Sequence, residues 1–131
     1  MNKMTAEELK SALNHFNGTK RHHGGCIMSR KHVLTDGVKF LCDNASCYWL
    51  ADLITSYHSQ AMRDEMLRDM QFWTLKVNLS THTAVAICER DTGNIAFQQT
   101  IEYTDFPLEE VKIWVAPAGE GKWVLMLNSE Y

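Results

Sequence analysis

The stretch from Leu9 to Thr35 contains no acidic residue, yet it holds Lys10, Lys20, Arg21, Arg30 and Lys31 together with His15, His22, His23 and His32. All 16 acidic residues lie outside it, in a chain of net charge −3. A basic arm on an acidic body can grip a phosphate backbone or an acidic protein surface. The acidic balance of the whole argues against coating a duplex. Lys20, Arg21, His22, His23, Arg30 and Lys31 are therefore candidate contacts to a protein or nucleoprotein partner. The plainer alternative is a solvated hairpin with surface cations.

A second cluster has metal-ligand chemistry. Cys26, Cys42 and Cys47 fall within 22 residues, and His22 and His23 precede Cys26. Zinc takes about four N or S ligands in a tetrahedron. The Cys42-x4-Cys47 spacing is longer than a usual zinc knuckle, and no second knuckle follows. Free thiols and imidazoles are the simpler expectation, with no cofactor. Cys47, expected at a helix N-terminus, is a minor candidate for a thiol of lowered pKa.

Catalytic arrangements are sparse. Cys47 and His58 on one helix would lie about 16 Å apart along its axis, too far for a dyad. There is no Gly-rich phosphate loop, His-Glu-x-x-His or Gly-x-Ser-x-Gly. Asp64/Glu65, Glu109/Glu110 and Asp105 read first as solvated carboxylates. Trp114 stands out differently. It shares a strand face with Lys112, opposite Val111, Ile113 and Val115, and an outward Trp is a candidate interface anchor. The competing reading is a small second core on that face.

The elements that position these residues follow from pattern. Thr5-Ala6-Glu7-Glu8 is a capping box, and Leu9, Leu13 and Phe16 continue at helical spacing to Asn17-Gly18. Asp36-Gly37 between Val33-Leu34 and Val38–Leu41 predicts a β-hairpin. Leu50, Leu53, Ile54, Tyr57 and Ala61 share one face of a second helix, expected from about 48 to 57 with a continuation or restart through 62–69. From Gln71 to Leu127, five strands alternate apolar and polar residues between turn signals. The expected fold is α+β: two helices and a β-hairpin with a C-terminal five-stranded antiparallel meander, in one domain of 131 residues. The absence of a long apolar run or a signal-like N-terminus leads to a cytoplasmic expectation with no membrane contact.

Several motifs together resemble a known family. They are Thr5–Lys10, Phe16–Thr19, Thr35–Leu41, Tyr48-Trp49-Leu50, Ser56-Tyr57, Phe72–Val77, Ile101–Leu108 and Ser129-Glu130-Tyr131. The set resembles a family of small bacterial, plasmid and phage proteins catalogued only as a domain of unknown function. The resemblance brings no catalytic residues, and the Cys26, Cys42 and Cys47 set does not match its pattern. It implies mobile-element biology and stoichiometric binding, for instance a phage or plasmid inhibitor of a host nuclease or defence complex. The alternatives are a zinc-supported or thiol-dependent module, or a small-ligand binder or enzyme with a pocket between helix two and the sheet.

Overall fold

The computed structural model describes residues 5–16, 22–23 (backbone only) and 31–131. Helix α1 (Ala6–Leu13) begins as the capping box requires. The Glu8 amide donates to Thr5 Oγ1, and the Thr5 amide donates to Glu8 Oε1, both at 3.1 Å. Leu9 is buried from this helix.

The Asp36-Gly37 hairpin does not form. Thr35 ends strand β2 (His32–Thr35) and caps helix α2 (Asp36–Ala45), its Oγ1 accepting from the Val38 amide at 3.3 Å. Val38, Leu41, Cys42 and Ala45 then bury one helical stripe, and Ser46 closes the helix in the left-handed conformation at φ 52°. Asp36 sits in the first turn, where its charge complements the helix dipole. Gly37 is needed for close approach, since an added Cβ would lie 2.5 Å from Glu130 Oε1. The short hairpin in this region is a different one: β1 (His22–His23) pairs antiparallel with Leu34–Thr35 of β2.

The expected second helix is shorter than its apolar pattern suggested. It is α3 (Tyr48–Ser56), followed by one turn of α4 (His58–Ala61), and 62–69 form turns rather than a continuing helix. Leu50, Ala51 and Ile54 are buried, whereas Leu53 is half-buried. Arg90 Nε donates to Asp64 Oδ2 at 2.6 Å and ties these turns to the sheet.

The five C-terminal strands are β3 (Gln71–Asn78), β4 (Thr83–Glu89), β5 (Ile95–Ile101), β6 (Glu110–Gly119) and β7 (Lys122–Leu127). Their order corrects the meander. Among the described residues the sheet has seven strands, in the order β1-β2-β7-β6-β3-β4-β5. The strands β3-β4-β5 do form a meander, but the chain then crosses back to place β6 on the other side of β3. The crossing segment buries Thr104, Phe106 and Leu108, and the Val77 amide donates to Glu109 O at 2.8 Å. Apolar burial under the sheet end drives that return. The sheet is also mixed, because β2 runs parallel to β7. A short 3-10 helix, Asn128–Glu130, follows β7.

Leu9, Leu34, Val38, Leu41, Leu50 and Ile54 form one core with Trp73, Leu75, Ala86, Ile113, Val115 and Leu125. The alternate residues of the same strands point the other way. All the described helices that feed the core therefore lie on one face of the sheet. Among the described residues no helix is long and apolar enough to cross a membrane.

Candidate protein-binding face

The second sheet face carries Phe72, Thr74 and Lys76 of β3, Val85 and Ile87 of β4, and Lys112, Trp114 and Ala116 of β6. This follows from the registers Thr74↔Ile87, Lys76↔Val85, Thr74↔Lys112 and Phe72↔Trp114. Trp114 is half-buried, and its ring meets Phe72 edge-on at 5.0 Å. The Tyr131 ring lies 5.4 Å away on another side and is itself 79% exposed. Val124 and Met126 continue the apolar strip through Ala116↔Val124 and Trp114↔Met126, and both are buried outside the main core.

Charge frames this strip. Lys76 lies opposite Glu110 across β3 and β6, and both are exposed. A concavity of about 350 Å³ opens between Phe72, Thr74, Glu89, Lys112 and Trp114. Glu89 is held on its rim, since its Oε2 accepts from the Gly93 amide at 2.6 Å. Gly93 can turn there because φ is +81°, where a side chain would be strained. An aromatic centre with a polar, charged rim is the anatomy of a protein interface.

The placement of the other sequence candidates is uneven. Lys20, Arg21, Cys26 and Arg30 lie outside the described residues. His22 and His23 sit on β1 at the sheet edge, described in backbone alone. Lys31 is exposed, and its carbonyl accepts from the Trp123 amide at 2.8 Å. Trp114 is three strands from β1, roughly 14 Å at the usual strand spacing. β1 thus lies on the same side of β3 in the strand order as Trp114.

The structure does bring Cys42 and Cys47 together, Sγ to Sγ at 3.8 Å, with both thiols buried. Cys47 stands before α3 as expected, but it is not an activated thiol. Its hydrogen bonding with Cys42, together with burial, pushes its pKa well above the ordinary thiol value. Cys88 is pushed up to about 12, chiefly by burial. Among the described residues no three His, Cys, Asp or Glu side chains converge on a metal position. The α3–sheet contact at Leu50, Ile54, Trp73, Leu75 and Ile113 is packed, with about 0 Å³ open to water.

Two clusters escaped the sequence reading. Glu130 reaches from the chain end to the start of α2, and His32, His58 and Trp123 pack into an aromatic group. His58 stands 4.8 Å from His32 and 4.5 Å from Trp123, both edge-on. Among the described residues neither His58 Nδ1 nor Trp123 Nε1 finds a hydrogen-bond partner. The residues come from β2, α4 and β7, so no spacing in the chain signals either cluster.

Fold and face together define an α+β protein whose described helices pack on one side of a mixed sheet, with an aromatic strip on the opposite side. The chain belongs to a family of unknown function, DUF6876, whose model matches residues 7–131. No curated protein and no solved structure matches it.

Proposed function

We propose that this chain is a non-catalytic binding protein that captures a protein partner on the strip around Trp114. Its biological form would be a stoichiometric inhibitor of a host defence or nuclease complex, of phage or mobile-element type. The observation that carries the binding reading is that the described helices pack on one side of the sheet. This leaves a Trp–Phe pair at the centre of an extended face, bordered by Lys76, Glu110 and Lys112. Aromatic residues in such a setting supply most of an interface's affinity. The basic segment with Lys20, Arg21, Arg30 and Lys31 would add a flanking contact to an acidic patch, chiefly through association rate.

Affinity capture from host lysate identifies the partner, and titration then measures it. Trp114→Ala is expected to weaken binding at least tenfold, roughly 1.4 kcal/mol, while the melting profile stays cooperative. Reversing the four basic charges should slow association and flatten its salt dependence. Wild-type affinity in both variants would remove this face and this arm as the binding site. A partner whose activity is untouched at molar excess would reject the inhibitor role and leave the binding role standing.

A further inference from the structure

We propose that the free edge of β5 pairs with β5 of a second copy, joining two sheets about a twofold axis at Gln99. β5 is the last strand of the sheet, so among the described residues one side of its backbone has no neighbouring strand. Soluble proteins usually guard such edges with charge, proline, a bulge or shortness. The other edge is β1, described at His22–His23. β5 has seven residues, Ile95 to Ile101, with no charge and no proline. Its one irregularity, opposite Cys88 and Glu89, is confined to its first residues and leaves Phe97–Ile101 in regular register.

The sequence of that regular part suits an identical partner. Antiparallel pairing about Gln99 sets Phe97 of one copy opposite Ile101 of the other, and Gln98 opposite Thr100. It brings Ile95, 49% exposed, to the end where the second copy's Tyr103, 71% exposed, emerges. These are two of the few large apolar side chains left exposed. The Thr104 amide still donates to His82 O at 2.7 Å, so the chain stays beside β4 to that point. Each copy carries a net charge of −3, and association through most surfaces would meet repulsion. This register sets no acid against another acid. Because the pairing is isologous, each copy using the same edge of β5, it closes at a dimer and does not propagate. Side chains directly opposite in such a pair point to the same face, so both Trp114 strips would face the same way.

Sedimentation equilibrium from micromolar to millimolar protein tests this. The wild type should dimerise reversibly, with amide exchange at 97–101 slowing as concentration rises. Gln99→Lys and Gln99→Glu each place like charges at the axis and should raise the dimer Kd at least tenfold. An equimolar mixture of the two should recover association. Gln99→Glu keeps the oxygen that accepts from Tyr57 Oη at 2.9 Å, so its fold is preserved. A wild type that stays monomeric throughout would overturn the proposal. Dimers indifferent to both substitutions would overturn it equally. Neither result bears on the Trp114 face, whose test is partner affinity.

Discussion

Replacing Glu130 with alanine is expected to lower the free energy of unfolding by about 1–3 kcal/mol for each buried donor left unpaired, a large share of the stability of a domain this size. Glu130 is only 8% exposed, and its carboxylate is fully engaged. Oε1 accepts from Thr35 Oγ1 at 2.6 Å and from the Leu127 amide at 3.0 Å, and Oε2 accepts from the Gly37 amide at 3.1 Å. The chain end thereby supplies the anion that satisfies the start of α2, where backbone amides and helix dipole both favour negative charge. Alanine would strand three buried donors, each costly when unpaired. Glu130→Gln should cost less, because it keeps the shape and one acceptor oxygen, although its new amide group would face a donor.

Gly37→Ala attacks the same contact from the other side. The new methyl would sit 2.5 Å from Glu130 Oε1 and 2.7 Å from Leu127 Cδ1. Combining Gly37→Ala with Glu130→Ala should therefore cost less than the sum of the single changes, since the second removes part of what the first collides with. Urea unfolding of the four proteins measures this directly. Strict additivity, or an unchanged midpoint for Glu130→Ala, would mean that the carboxylate does not hold α2 in place.

The second large effect is acid sensitivity centred on His32. Burial, then the neighbouring His58 and Lys31, lower its pKa to about 4. Burial, and then Lys31, lower that of His58 as well. A histidine whose folded pKa lies below its unfolded value, ordinarily about 6.5, takes up its proton more readily when unfolded. Its contribution to stability is thus complete above about pH 6.5 and is lost as pH falls toward 4. The expected loss over that window is about 2–3 kcal/mol, reduced where solvent screens the site. Asp64 is held below the ordinary carboxylate range, chiefly by its bond with Arg90, so its own acid loss falls at lower pH. His32→Phe preserves a ring beside His58 and Trp123 and should flatten the profile between those limits. A mutant profile parallel to the wild type would assign the sensitivity to other groups.

The contrast between these clusters and the sequence expectations has a simple origin. The five strands from Gln71 to Leu127 were all legible because alternation is a local property of a half-buried ladder. So was the capping box at Thr5 and Glu8, whose partners are three residues apart. Strand order was not legible, because alternation says which way a side chain points and nothing about which strand lies beside it. The Asp36-Gly37 pair misled for a related reason. Its hairpin chemistry is real, but Thr35 followed by Val38, Leu41, Cys42 and Ala45 is also an N-cap and a helical stripe, and it is this reading that packs. Gly37 serves a contact 93 residues away, which no local pattern records.

The sequence by itself determined the α+β class, α1, the five C-terminal strands and the placement of Trp114 on the strand face opposite Val111, Ile113 and Val115, since each depends on neighbours within one turn or one strand. Tertiary structure alone decided that β6 returns beside β3, that β2 runs parallel to β7, and that Glu130 caps α2 from the far end of the chain. It also decided that Phe72 and Tyr131 gather around Trp114. The physical reason is that local propensity and periodicity act over a few residues. Buried carboxylates, aromatic clusters and free sheet edges come instead from closing long loops, where apolar burial repays the entropy of bringing distant segments together.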